Sequence, residues 1–472
     1  MGQNWSFDLT QFDTVWKVLV QIGLLLIFLL LGNLIRRVVP FLRRGNVPSA
    51  LIGGLLLLLL NLAISPSGFE LVDKRIMQII TYHSLAIGFA AMSFKIAKKE
   101  KRVSALKPIQ NGAITGGTYM LQAVFGMLVS LIFFLAGSGL FFDAGVLLPL
   151  AFGQGPGNAL TWDVNFTNMG VFNGQGSVGL TIASIGFIVA SIVGVIYINI
   201  FKHKHQITLR EVNKDRPKEI FETEGEIEDS DSVDKSSIQI AFVILAYAIG
   251  FGIMVFFAKL SEWTNVKLFN DVAWGFNFIW CVIAATLLKL LMKFLYNKKI
   301  TKRKYINNYQ MDRISGFAFD VMIIAGVAAI DIKVVQEYVW FIIAVSLVGT
   351  LITIIYVRLM TKLCFKDYQH EAFLTNFGTL TGTASNGMIF LREIDPNYET
   401  PMNNIFIISQ LPAMIFVAPL LLLLNTSASS LTGFYISLGI FGALFVLYTL
   451  FLVLSMKGII FKKAQNKPNI EK

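Results

Sequence analysis

The chain has 472 residues, 55% of them hydrophobic and only 15% charged, with a mean hydropathy of +0.65. Soluble domains run at about 25% charged, so this composition excludes an ordinary soluble enzyme or nucleic-acid-binding module and marks a polytopic membrane protein. The net charge of +11 calls for no nucleic acid, because the basic residues gather on one side of the apolar runs, as they do at a cytoplasmic face. Cys281 and Cys364 both fall in or beside apolar runs, so no disulfide framework is expected.

Met1 to Trp16 forms a polar head whose Trp5 and Trp16 suit a membrane interface. The run Val18 to Ile35 has no basic leader and no small-residue cleavage site, and Arg36 and Arg37 follow it. It is therefore expected to be a first span with its N-terminus outside, not a signal peptide. Leu51 to Ile64 is a second span, opened by Pro48 and Gly53-Gly54. Ile76 to Ile96 is the third, and it exits into Lys95, Lys98, Lys99, Lys101, Arg102 and Lys107. Ile109 to Leu135 is the fourth and ends in a loop free of Lys and Arg.

The stretch 146–168 then reads VLLPLAFGQGPGNALTWDVNFTN, with Gly153, Gly155 and Gly157 alternating with Gln154, Pro156 and Asn158. Glycine costs about 1 kcal/mol and proline about 3 kcal/mol against alanine in a helix interior, so no helix runs through it. Irregular backbone at membrane depth survives only where it is buried in protein or lines a watery cavity. Val178 to Ile200 is the fifth span.

Residues 201–237 are dense in charge, with an acidic run from Glu222 to Asp234, and read as a cytoplasmic linker. The second half repeats the plan, with spans at Ile238–Phe257, Trp274–Leu295, Ile314–Ile330, Tyr338–Leu363 and Asn404–Leu424. Basic clusters follow the second (Lys298, Lys299, Lys302, Arg303, Lys304) and the fourth (Arg358, Lys362, Lys366). A second Gly-rich stretch, 372–391, reads AFLTNFGTLTGTASNGMIFL, with Gly378, Gly382 and Gly387 among hydroxyls. Phe434 to Leu454 is an eleventh span.

The expected fold is an all-α polytopic membrane protein built as two inverted five-span repeats with one extra C-terminal span. Residues 1–200 form the first repeat around segment 146–168, and residues 238–425 the second around segment 372–391. Residues 426–472 hold the extra span and a basic cytoplasmic tail. Paired Gly/Pro-interrupted segments in two halves of a chain point to the binding site of a secondary transporter. No G-x-x-x-x-G-K-[ST] run, zinc spacing or hydrolase motif occurs. The expectation is thus a non-enzymatic transporter with no cofactor, driven by an ion gradient. Asn, Thr, Ser and freed carbonyls supply the oxygens that a hard cation such as Na⁺ wants, while helix N-termini favour an anion.

Several segments resemble the bacterial sodium:glutamate symporter family. NVPSALIGGLLL at 46–57 is similar to its basic-loop-to-second-span signature, and SLAIGFAAMSFKI at 84–96 to its third span. FGQGPGNALTW at 152–162 resembles its first Gly-rich segment, with Phe152 and Gln154 where the family commonly has Gly and His. NFGTLTGTASNGM at 376–388 is similar to the second segment, without its usual proline and some glycines. The resemblance implies Na⁺-coupled uptake of glutamate or a similar amino-acid anion across a bacterial inner membrane by alternating access, and it leaves a homodimer open. A symporter of another organic anion such as a di- or tricarboxylate would share this architecture. A channel or a non-transporting sensor is the rival from a different class.

Candidate substrate-binding residues are Gly153, Gln154, Gly155, Gly157, Asn158, Asn376 and Asn386. Candidate Na⁺ ligands are Asp163, Asp320, Thr379, Thr381, Thr383 and Ser385. Asp320 lies inside the apolar run 314–330, where a carboxylate is costly and functional by default, unless it pairs with Arg313. Asp163 reads as an ion ligand or a helix cap, and Asn165 as a ligand or a partner for broken backbone. Arg392 reads as a partner for a substrate carboxylate or a boundary charge. Trp162 and His83 read mainly as packing and interfacial residues.

Overall fold

The computed structural model describes residues 16–44, 47–96, 104–204, 235–301, 303–395 and 399–456. The polar head before Trp16, nearly all of the 201–237 linker and the basic tail after 456 lie outside the described residues. Among the described residues every extended element is helical. The first half contains α1 (Lys17–Val38), α2 (Pro40–Arg44), α3 (Ser49–Ile64), α4 (Lys74–Phe94) and α5 (Leu106–Leu135). It continues with α6 (Leu147–Gln154), α7 (Pro156–Asn168) and α8 (Ser177–Lys204). The second half begins with α9 (Lys235–Thr264), α10 (Lys267–Gly275), α11 (Asn277–Asn297), α12 (Asn308–Ala328), α13 (Ile332–Glu337) and α14 (Val339–Cys364). It ends with α15 (Gln369–Thr381), α16 (Ala384–Ile394), α17 (Met402–Ser429) and α18 (Leu431–Met456).

Ten of these helices are long and apolar enough to cross a membrane: α1, α3, α4, α5, α8, α9, α11, α14, α17 and α18. Their outer faces expose Leu30, Phe256, Leu290, Leu351 and Leu447, which suits contact with lipid and not with water. The expected span 314–330 falls on α12, which carries Asp312, Arg313 and Asp320 and is not among the ten. Much of α12 is buried within the protein, including Met311, Phe319, Met322 and Ile324, so it needs no all-round apolar surface. The expected span from Trp274 is divided. Trp274 lies in the last turn of α10, which ends at Gly275, and α11 starts afresh at Asn277 after an irregular Phe276.

The chain forms two compact units, each drawing helices from both halves of the sequence. The first comprises Met1–Lys95, Gln154–Val195 and Ile207–Val339, and the second Ile96–Gly153, Ile196–Gln206 and Trp340–Lys472. Lipid tails are as apolar as leucine, so helices at membrane depth associate through close packing at small residues. In the first unit, a Cβ on Gly32 would strike the Ser49 carbonyl, and one on Gly53 the Phe28 carbonyl, which brings α1 against α3. Gly54 gives the same access to Val327 of α12 (2.7 Å), and Gly88 of α4 to the Phe319 ring (2.7 Å). Ion pairs close one end: Lys17 holds Asp73 at 2.6 Å and Lys74 holds Asp331 at 2.5 Å. The Lys17 ammonium keeps the Asp73 carboxyl below the usual carboxylate range, while Asp73 also caps α4 through Ile76 N–H at 3.0 Å.

In the second unit α5 packs with α17 and α18. Gly112 and Gly116, one turn apart, admit Pro412 (2.7 Å) and Phe416 of α17. Gln122 of α5 donates to Thr353 Oγ1 (2.8 Å) and to the Leu380 carbonyl (3.1 Å). The contact at Gly53 generates a stability prediction. Gly53→Leu forces α1 from α3, and overpacking of this kind costs about 1–3 kcal/mol, so the purified protein should melt at a lower temperature. Gly23→Leu, on α1 where a Cβ meets nothing within 4 Å, should melt like the parent.

Candidate functional site

The first Gly-rich segment breaks at Gly155, whose φ of 77° and ψ of −167° lie in a region that only glycine adopts without strain. Pro156 then opens α7 at a position where its missing N–H costs nothing. Within the first unit, α7 is seated by close approaches. A Cβ on Gly157 would lie 2.7 Å from Leu85 Cβ of α4. Gly326 of α12 faces Pro156 (3.0 Å), and Gly275 of α10 faces the Trp162 ring (3.1 Å). Gly157 is thus needed for helix packing, and Gly155 for its φ. On the second unit's side of the break, Gly153 has no room for a Cβ because the Tyr119 ring lies against it.

One stripe of α7 is unusual. Asn158 and Trp162 are spaced at i and i+4 on α7, so they share a helix face, and Gln154 ends α6 just before the break at Gly155. All three are buried. Gln154 Oε1, both Asn158 Nδ2 and Oδ1, and Trp162 Nε1 have no hydrogen-bond partner among the described residues. A buried polar group left unpaired costs about 1–3 kcal/mol, so four such atoms around the break and along the first turns of α7 are a demand for a polar ligand. They offer two donors and two acceptors. The N–H groups of Gly157 and Asn158 in the first turn of α7 add the positive end of a helix dipole.

Asp163 sits in α7 and is fully buried. Its Oδ2 accepts from Gly179 N–H at 2.8 Å, and the N–H groups of Gly176 and Val178 also point to it. The carboxylate therefore meets the free amides at the start of α8, as a cap does. Its Oδ1 has no hydrogen-bond partner among the described residues, and the missing side chain of Gly174 leaves the space over it. Asp320 is partly buried on α12, and the cation acting on it is Arg36 in the last turn of α1. Arg313 instead stacks on Tyr309, its Nη2 donating to that hydroxyl at 3.1 Å. His83 meets the Tyr247 hydroxyl at 2.5 Å.

In the second unit the other Gly-rich segment breaks between α15 and α16. Gly378 and Gly387 allow the two helices to lie close, with Gly387 against Thr379 and the Thr375 carbonyl. Gly382 lies at the break, and a side chain there would strike Asn386. Thr379 and Thr381 each donate their hydroxyl hydrogen to the carbonyl four residues back, both at 2.7 Å. Only lone pairs then remain to face outward, a state suited to a cation and unsuited to a carboxylate. Thr383 Oγ1 is buried with no hydrogen-bond partner among the described residues, and Ser385 close by is half-buried. Asn376 is engaged differently. Its Nδ2 donates to Asn111 Oδ1 (2.8 Å), and Asn111 Nδ2 donates to Ser409 (2.9 Å). Arg392 is exposed in the last turn of α16, where a positive charge favours the helix terminus. Asp395 turns its oxygens to Glu399 N–H and to Thr400.

The candidates thus divide between the units. Gln154, Gly155, Gly157, Asn158, Asp163 and Asp320 belong to the first, while Gly153, Asn376, Thr379, Thr381, Thr383, Ser385 and Asn386 belong to the second. The sequence reading passed over Asn111 and Gln122, which reach toward the second segment from α5. Their signal was present: two buried amides in an apolar span, eleven residues apart, which is about three turns and one face. It also favoured packing for Trp162 over closure upon a substrate. The indole does pack against Phe276 and Phe166, at centroid distances of 5.4 and 6.0 Å, but its N–H is unspent. No group of three or more His, Cys, Asp or Glu among the described residues could hold a metal.

The backbone geometry at the first break makes a direct prediction. Gly155→Val imposes about 1–3 kcal/mol of backbone strain, and Gly157→Val drives into Leu85. Both variants should reach the membrane at near-parental levels and lose transport, measured as substrate uptake by cells. Normal uptake by both would make the segment an ordinary connection.

A search of curated proteins found no match. The family model for the sodium/glutamate symporter matches residues 12–398, a span that takes in both broken segments and eight of the ten apolar helices that could cross a membrane. With its all-helical, apolar architecture, the chain belongs to the sodium/glutamate symporter family and is a sodium-coupled glutamate transporter.

Proposed function

We propose that the protein imports glutamate or a close amino-acid anion with Na⁺ across a bacterial inner membrane by alternating access, with its N-terminus outside and its C-terminus in the cytoplasm. The observation that carries the substrate assignment is the α7 stripe. An amino-acid anion brings carboxylate acceptors and an ammonium donor. Asn158 Nδ2, Trp162 Nε1 and the first-turn amides of α7 match the former, while Gln154 Oε1 and Asn158 Oδ1 match the latter. None of these protein groups is charged, so the substrate can be released as well as bound. A di- or tricarboxylate lacks the ammonium and would leave the two acceptors unmet.

The cation candidates are, in the second unit, Thr379, Thr381, Thr383 and Ser385, whose lone pairs suit Na⁺, and, in the first unit taken by itself, the carboxylates Asp163 and Asp320. Na⁺ is the only non-protein component this account needs, as coupling ion and not as cofactor, and the chain acts as a carrier and not as an enzyme. The two broken segments, one per half, are the basis for assigning repeats to 1–200 and 238–425 in inverted orientation. A homodimer is compatible with this assembly.

Proteoliposomes test the proposal. Radiolabelled glutamate should accumulate against its gradient only with Na⁺ in excess outside, and unlabelled di- and tricarboxylates should compete weakly. Equilibration without accumulation would indicate a channel, and binding without flux a sensor. Asp320→Asn keeps the shape and removes the charge, so it should raise the Na⁺ concentration for half-maximal uptake, measured at saturating glutamate because the two ligands are linked. An unchanged Na⁺ curve would reduce Asp320 to a partner of Arg36.

A further inference from the structure

Asp143 is a buried carboxyl that neither broken segment uses. It precedes the 3₁₀ turn Ala144–Val146, outside the membrane-spanning helices, and is fully buried. Ser427 Oγ of α17 lies 2.6 Å from its Oδ2, and its Oδ1 has no hydrogen-bond partner among the described residues. Its neighbour Phe142 packs on Phe134 of α5 and Phe434 of α18. No cation faces the carboxyl from these elements. α17 carries no titratable residue, and α18 only Tyr435, which is exposed, and Tyr448, which donates to the Phe416 carbonyl. α5 carries Tyr119 at mid-helix and Lys107 at its far end, roughly 40 Å along the axis at 1.5 Å per residue, where Lys107 bonds the Cys364 carbonyl.

The hydrogens around Ser427 can be counted. Its Oγ lies 2.9 Å from the Leu424 carbonyl as well as 2.6 Å from Asp143. A carbonyl only accepts, and a serine has one hydrogen to give. With that hydrogen on Leu424, the hydrogen in the shorter contact must come from the carboxyl. A neutral Asp143 fills both contacts and leaves Oδ1 as an unpaired carbonyl-type oxygen. An ionised one leaves a contact without a hydrogen and strands a charge in an apolar site, which is far costlier. Burial acts in the same direction and pushes this carboxyl well above the usual carboxylate range.

We propose that Asp143 is a proton-binding site, protonated in this conformation and donating to Ser427, so that the proton fastens the 136–146 segment to α17. Ionisation requires Asp143 to part from α17, which links the state of that segment to pH. The sign follows from the weakened acidity of the buried carboxyl. Protonation favours the packed state fully below the ordinary carboxylate value of about 3.9. As pH rises past it, the packed state is disfavoured by up to tenfold per unit until the buried group itself ionises.

Infrared spectroscopy of the purified full chain at pH 7 tests this without reference to transport. The wild type should show a protonated-carboxyl C=O band that is absent from Asp143→Asn and displaced in Ser427→Ala, which loses the acceptor. A side-chain amide imitates the neutral acid, so Asp143→Asn should also flatten the loss of thermal stability between neutral and alkaline pH. A wild-type spectrum at pH 7 lacking any band that Ser427→Ala displaces would overturn the proposal. So would a band that appears only when Na⁺ is withdrawn, because Asp143 would then be a cation ligand.

Discussion

The backbone at membrane depth has no water to bond to, so every N–H and C=O there must find a partner inside the protein. Helices meet this requirement everywhere except where the chain breaks, and this chain breaks a helix at Gly155 and again at Gly382. The consequences radiate outward from the two breaks. Each frees amides at one helix end and carbonyls at the other, and each must be held by close packing. Small residues provide it: Gly157 against Leu85 and Gly326 against Pro156 at the first, Gly378 against Phe390 and Gly387 against Thr375 at the second. The result is two sites where polar groups are both buried and unspent.

The two breaks differ in what they leave unspent. At the first break Gln154, with Asn158 and Trp162 of α7, keeps both donors and acceptors, which suits a zwitterionic substrate. On α15 the hydroxyls of Thr379 and Thr381 have given their hydrogens to their own helix and keep only lone pairs, which suits a cation. A family that couples sodium to glutamate needs both kinds of surface, and this chain builds them from neutral side chains. Leaving such groups unpaired reduces stability, as binding surfaces commonly do.

The spans and both breaks were legible in the sequence because apolar runs, glycine and proline act locally. The α12 span was visible only as an apolar run. Asp312, Arg313 and Asp320 reduce its apolarity, and its burial depends on α3 and α4, which no local pattern reveals. The division at Phe276 was hidden because only Gly275 and Asn277 interrupt an otherwise apolar run from Val272 to Ala285. Asp163 could be read as cap or ligand from sequence, and the amide that meets its Oδ2 belongs to Gly179, sixteen residues away. The second-unit amides Asn111 and Gln122 were missed because their partners Ser409, Asn376, Thr353 and Leu380 lie far along the chain. Periodicity reports a face, not the residue across from it.

The central claim is that the α7 stripe holds the substrate at some expense to stability, and a substitution that removes polarity while keeping bulk tests both halves at once. Asn158→Leu takes away two buried, unpaired polar atoms, so the purified variant should melt at or above the parental temperature. Glutamate with Na⁺ should raise the melting temperature of the parent and leave that of the variant unmoved. A variant that melts well below the parent and is still stabilised by glutamate would show that Asn158 serves the fold and that the substrate binds elsewhere.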